Sequence, residues 1–198
     1  MLSIVFKQTL LLILILLLEA CAQYTQPMLK VSDITASKKI NATIESVIVA
    51  ISKKNPNAGL IKSMKKTNKE DPEEPDIIPM VQSLSPGFLS YWKTSIEKVI
   101  SKRDLFRIKS NNVLVLRVDI SKITRPYGLT AYTTIIANYK LINTSNSAVI
   151  FNKEIKSIGE SVSGYLGGIY RLQESLFRSI NKNIKIFFGE LQKVKLPE

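Results

Sequence analysis

The sequence predicts an α+β domain: a four-stranded, mostly antiparallel sheet with two amphipathic helices on one face, in the chain order β-α-β-β-β-α. Three observations predict it. Between residues 113 and 158, three runs alternate apolar with polar residues and are joined by short polar connections, the pattern of an antiparallel meander with one covered face. Two stretches, one opening near Ser85 and one near Gly164, repeat apolar residues at spacings of three and four, which lines up one stripe of a helix. A further β-branched run, residues 42–51, precedes the first of these stretches.

Taken in order, ATIESVIVAI at 42–51 lies between polar clusters and reads as a strand. Residues 52–86 are the least regular part. Lys53, Lys54, Lys62, Lys65, Lys66 and Lys69 give way to Glu70, Asp71, Glu73, Glu74 and Asp76, punctuated by Pro56, Pro72, Pro75, Pro79 and Pro86. So many prolines exclude a long helix or a central strand, leaving a charged loop. Ser85-Pro86 predicts a helix start, with Ser85 as N-cap and Pro86 at the first helical position. Phe88, Leu89, Trp92, Ile96, Val99 and Ile100 follow on one stripe, and the helix is expected to reach about Arg103, with Trp92 in the core.

In the strand at 113–123, Leu114, Leu116, Val118 and Ile120 share one face, and Arg117 and Asp119 the other. Arg125-Pro126-Tyr127-Gly128 reads as a turn. The strand at 130–142 puts Ala131, Ile135, Ala137, Tyr139 and Leu141 on one side, and a polar hairpin loop, Asn143 to Ser147, leads to the strand at 148–158 with Val149, Phe151 and Ile155 inward. The last helix, between Gly164 and Lys195, aligns Ile169, Leu172, Leu176, Ile180, Ile184, Phe187, Phe188, Leu191 and Val194, with Arg171, Glu174, Arg178, Lys182 and Lys185 on other faces. For the sheet to close, the first strand must pair with the meander after the intervening helix has crossed back.

Composition narrows the chemistry. The chain has 198 residues, no histidine and one cysteine. Histidine triads, cysteine–histidine pairs and histidine-ligated metal sites are excluded, as is an intramolecular disulfide. No Gly-x-Ser-x-Gly or P-loop pattern occurs. The acidic residues gather in the proline-rich loop, where nothing would fix a pair of carboxylates for hydrolysis. No cofactor or metal site is expected. Hydrophobic residues make up 45% and charged residues 22%, the balance of a folded chain rather than a disordered one.

The N-terminus is an export signal by its pattern. Lys7 precedes nine uninterrupted aliphatic residues, Leu10 to Leu18. A membrane-spanning helix needs about 20 apolar residues, whereas this run has the length of a secretory h-region. It ends at Leu18-Glu19-Ala20-Cys21, which resembles the bacterial lipobox: an aliphatic residue, a small residue before the cysteine, then the cysteine. Glu19 departs from that pattern, whose second position is small or apolar. The resemblance implies cleavage before Cys21 and acylation of Cys21 with a diacylglycerol and, on the new N-terminus, a fatty chain such as palmitate. One chain binds a membrane reversibly and two or more anchor stably. The chain then divides into a signal peptide at 1–20, a lipidated tether at 21–39 and one α+β domain at 40–195 carrying the loop at 52–86. Ala22, in place of an aspartate, favours the periplasmic face of the outer membrane.

Lys+Arg number 28 and Asp+Glu 16, a formal charge of +12. Lys7 and Glu19 cancel, so residues 21–198 keep all of it. Behind an export signal the polyanions available are lipid phosphates, lipopolysaccharide or an acidic partner protein, not nucleic acid.

With the lipobox and the element order together, the chain resembles small outer-membrane lipoproteins, among them the lipopolysaccharide-assembly lipoprotein that plugs its barrel partner and the auxiliary lipoproteins of ABC-type lipid transport systems. The resemblance implies a membrane-anchored, non-enzymatic module that docks on an envelope protein or binds an anionic glycolipid. It supplies no motif beyond Leu18-Glu19-Ala20-Cys21, so no family binding residue is carried over. From the residues themselves, Arg117 and Asp119 are candidate partner contacts, with the solvated side of a sheet as the plainer reading. Gly167, Gly168 and Arg171, at the start of the last helix, are candidate anion contacts, with a flexible strand-to-helix turn as the plainer reading. Two other functions stay open: a periplasmic enzyme acting on an envelope polymer or acyl chain, and a structural or peptidoglycan-associated lipoprotein.

Overall fold

One sheet organises the molecule, with strands in the spatial order β1-β2-β3-β4. In the computed structural model, which describes residues 26–34, 39–52, 76–107, 110–125, 132–162 and 168–194, the elements are β1 (Thr43–Ile51), α1 (Ile78–Leu84), α2 (Phe88–Arg103), β2 (Val113–Thr124), β3 (Tyr132–Asn143), β4 (Val149–Glu160) and α3 (Gly168–Leu191). The β2-β3-β4 meander is antiparallel, and β1 joins its edge parallel to β2. A parallel neighbour requires a crossover, which α2 provides. The α+β class and the mostly antiparallel sheet agree with the alternation of the sequence.

The core lies between the sheet and the helices α2 and α3. Leu114, Leu116, Val118 and Ile120 of β2, and Ile135, Ala137, Tyr139 and Leu141 of β3, are fully buried against Phe88, Trp92, Ile96 and Val99 of α2 and Leu176, Ile180, Ile184, Phe187 and Phe188 of α3. Tyr139 stacks on Phe187 with ring centroids 4.4 Å apart, and the Trp92 indole N–H donates to the Tyr139 hydroxyl at 3.0 Å. Ala131, expected on the same face as Ile135, and the turn residues Pro126 to Gly128 lie outside the described residues.

Several expectations are corrected. Residues 76–86, placed in the charged loop, form an isolated bridge from Asp76 to Thr124 and then α1. Pro79 stands in the first turn of α1, where a missing N–H loses no bond, and the Asp76 carboxylate accepts the Ile78 N–H at 3.0 Å. Residues 53–75 lie outside the described residues. The second helix starts at Phe88 after the N-cap Gly87, not after Ser85. Ser85 instead closes α1 through its N–H to Val81, and its carbonyl accepts the Phe88 N–H, so Ser85-Pro86-Gly87 is the corner between two helices. Val149 points outward because an irregularity between Leu141 and Ile142 pairs Leu141 with Phe151 and Ile142 with Val149. Ile169 is exposed because residues 168–170, the first turn of α3, are all exposed, and burial begins at Leu172.

The tether expected over 21–39 is not free along its length. Leu29 and Ile34 are buried in the core, with a 3-10 turn between them at Val31–Asp33. The Tyr91 hydroxyl accepts the Leu29 N–H at 3.1 Å and lies within donating distance of the Pro27 carbonyl, 2.9 Å, and of Asn181 Oδ1, 2.7 Å. Asn181 Nδ2 also donates to the Pro27 carbonyl. Arg103 donates to the carbonyls of Val31 and Ser32, and Lys185 binds Asp33 at 2.8 Å. Residues 26–34 are thus strapped to both α2 and α3. The two buried anchors lie five residues apart with Val31 half-buried between them, a pattern with no helix or strand period.

Candidate interaction surface

Because both long helices lie on one side of the sheet, the other side carries no covering element among the described residues. The register lines up three rows across it: Ile48-Arg117-Lys140-Asn152, Ala50-Asp119-Asn138-Glu154, and Lys122-Ile136-Lys156. Successive residues of a strand face opposite ways, so Arg117 and Asp119 share this face while Leu116 and Val118 fill the core. Four cations stand in these rows beside two carboxylates.

Their geometry is specific. Arg117 Nε donates to Asp119 Oδ1 at 2.8 Å, and Lys140 Nζ to Asp119 Oδ2 at 3.4 Å. Asp119 is the least exposed of the three side chains, so both its oxygens are taken and the trio keeps one net positive charge. Beside it, Asn138 Oδ1 is buried with no hydrogen-bond partner among the described residues. The pair expected on the outer face of β2 is there, and Lys140 is the member that sequence reasoning missed. Cross-strand register brings Lys140 opposite Arg117, and no local pattern reveals that pairing.

The remaining candidates sit elsewhere. Gly168 opens α3 on the helical side of the sheet, and an added Cβ there would meet nothing within 4 Å, so no close approach demands a glycine. Arg171, one turn further on, has a buried Nε without a hydrogen-bond partner among the described residues. Burial, and then the neighbouring charge of Arg171, hold the Arg125 guanidinium below its usual range. The structure therefore puts Arg171 beside Arg125, not beside Arg117 and Asp119. Gly167 and Cys21 lie outside the described residues.

A buried polar seam was also missed. Ser175, Ser179 and Asn183 follow one another at four-residue spacing on α3. Ser175 Oγ lies 2.7 Å from Thr133 Oγ1, and Ser179 Oγ 3.0 Å from Ser157 Oγ, while Asn183 donates to the Ser157 hydroxyl and the Ile155 carbonyl. All three helix residues are inaccessible to solvent, so these hydroxyls bind helix to sheet and present no nucleophile to a substrate. Glu174, expected on an outer face, is buried, with its carboxylate taken by Arg178 at 2.9 Å and the Ser161 hydroxyl at 2.5 Å. Among the described residues no group of three or more cysteine, aspartate or glutamate side chains could hold a metal ion, and no helix is long and apolar enough to cross a membrane.

No protein-family model matches the chain, and no curated protein matches it. Similar solved structures include a DUF330-family protein from Xanthomonas campestris, at 14% identity over 81% of this chain and 91% of that one, with a TM-score of 0.45. Another is the PelC dodecamer of Paraburkholderia phytofirmans, at 17% identity over 81% and 91%, with a TM-score of 0.31. A third is lipoprotein GNA1162 of Neisseria meningitidis, at 14% identity over 71% and 97%, with a TM-score of 0.26. At such identities and TM-scores, nothing is transferred from these proteins to this chain.

Proposed function

We propose that this chain is a lipid-anchored module of the bacterial envelope, held by acyl chains on Cys21 at the periplasmic face of the outer membrane, that acts by binding in outer-membrane biogenesis or in lipid or lipopolysaccharide transport. The observation that carries this reading is the position of the only cysteine, directly after Leu18-Glu19-Ala20 at the end of the apolar run. A thiol there is where acylation requires it, and acylation removes the one thiol open to oxidation.

The open sheet face supports a binding role. Left without a covering layer among the described residues, the face offers a broad surface on which Arg117, Lys122, Lys140 and Lys156 stand among Asp119, Glu154 and Glu160, and the one positive charge in excess suits lipid phosphates or an acidic envelope protein. The test is Cys21→Ser in the full chain, with mass measurement of the exported protein. The expected result is loss of the acyl mass and of membrane association. A variant that stays in the membrane fraction at its native size would overturn the reading.

A further inference from the structure

The strap at 26–34 has a consequence for how the domain stands on a membrane. Its first described residues rest on the helical layer: the Pro27 carbonyl is shared by Tyr91 of α2 and Asn181 of α3. Gln26 is only five residue steps on from Cys21, and an extended chain covers at most about 3.5 Å per step, or about 17 Å in all. The domain is two layers deep, about 20 Å from the outside of its helices to its open sheet face. A leash of that length ends before it could round the domain and bring the far face down.

We infer that residues 26–34 set the orientation of the anchored domain: the helices α2 and α3 face the lipid surface, and the open sheet face carrying Arg117 and Lys140 is turned away from it. This rests on acylation of Cys21. Around the strap, Met28 is 64% exposed, and Lys30, two residues further along it, and Lys182, next to Asn181 in α3, are exposed. An apolar side chain flanked by cations suits an interface with anionic headgroups. Lys185 and Arg103 hold the strap itself through Asp33 and the carbonyls of Val31 and Ser32, so the orientation is fixed by bonds on both helices.

The experiment uses the full acylated chain in vesicles of phosphatidylcholine and phosphatidylglycerol, with acylation verified by mass. Nitroxide labels are placed singly at Met28→Cys, on the strap, and at Lys156→Cys, on the open sheet face. Both positions are exposed, and the native thiol is occupied. Relaxation by a lipid-tethered nickel chelate is expected to be several-fold stronger at 28 than at 156. With a flexible Gly-Ser segment of about 20 residues inserted after Ala22, the leash becomes long enough to round the domain, and the two values are expected to converge while the protein still floats with the vesicles. Equal relaxation at both positions in the parent, with acylation intact, would overturn the inference. So would a difference that the longer leash leaves unchanged. A bare Cys21 thiol or a protein that fails to float would overturn the anchoring reading itself, and the mass measurement tells that failure from the other two.

Discussion

The Trp92 indole N–H reaches the Tyr139 hydroxyl across 3.0 Å in a part of the core where both side chains are wholly buried. This bond joins α2 to the middle strand of the meander, and it is the reason each aromatic tolerates burial of its polar atom. Tyr139→Phe strands the indole N–H without water or a partner, and the expected loss of stability is about 1–3 kcal/mol, read from urea unfolding at neutral pH. Burial raises the Tyr139 hydroxyl far above the ordinary tyrosine range, and the bond from Trp92 offsets only part of the rise. A folded-state pKa above the unfolded value of about 10 gives stability that is fully present below pH 10 and lost as pH rises beyond it. The variant is expected to lose less stability than the parent between pH 9 and pH 11, on the order of the tyrosine range. Parallel alkaline curves for the two proteins would refute the assignment.

Gly159 lies under α3 so closely that an added Cβ would stand 2.1 Å from the Ser179 backbone nitrogen and 2.2 Å from the Ser175 carbonyl oxygen. Both obstacles are helix backbone, which cannot rotate away. Gly159→Ala is therefore expected to push α3 off β4 and to destabilise the protein by about 3 kcal/mol, with loss of the Ser157–Ser179 bond. Gly189, near the end of the same helix, has nothing within 4 Å of an added Cβ. Gly189→Ala is expected to stabilise by about 0.5–1 kcal/mol through helix propensity alone. Thermal melts of the two variants check the contrast, and similar behaviour would refute the packing argument.

Those two glycines show what was legible and what was not. Gly189 could be read from helical periodicity, which needs only local spacing. So could the alternation that buries Leu114 to Ile120 and the stripe from Leu172 to Leu191. Gly159 could not, because its role depends on Ser175 and Ser179 arriving from another element. The same holds for Lys140, brought to Arg117 by register, and for Leu29 and Ile34, buried by helices far along the chain. Local pattern foretold which face of β2 carries Arg117 and Asp119. It could not foretell that Asp119 is shared by two cations, or that Arg171 meets Arg125 instead. Val149 and Ile169 were misplaced for a related reason: an irregularity in pairing and the overhang of a helix end are tertiary facts.

Acid is expected to loosen the exposed ion pairs around the C-terminal part of α3. A hydrogen bond from Lys185 holds Asp33 below its ordinary value, with Ser32 and Lys30 adding to the effect. Glu190 is held down first by Lys193 and then by Lys153. Folded-state values below the unfolded ones, about 3.9 and 4.3, give stability that is present above those values and is lost as pH falls through the folded ones. The strap is thus expected to weaken below about pH 4. Asp33→Asn should flatten this acid dependence, as should Glu190→Gln, and added salt should reduce it. Denaturant midpoints from neutral pH downward provide the measurement, and an acid limb unchanged in both variants would refute the attribution.

On the open face, Asp119 is the residue whose loss changes charge without disturbing the core. It accepts from Arg117 and Lys140 at once, so Asp119→Asn leaves two cations in register with no carboxylate between them. The ion pairs are partly exposed, and pairs of that kind contribute about 1 kcal/mol or less, so stability is expected to change little. The proposed binding should change more. With one further positive charge on the sheet face, the variant should take up an acidic partner or free lipid phosphate more tightly at low salt, and the gain should fade as ionic strength rises and the Debye length shortens. Arg117→Glu reverses the sign at the same place and should weaken binding under the same conditions. Titration of both variants with acidic ligand at two salt concentrations checks the pair of effects. Unchanged binding in both would remove this face from the proposed function and leave the corner formed by Arg125 and Arg171 as the next place to look.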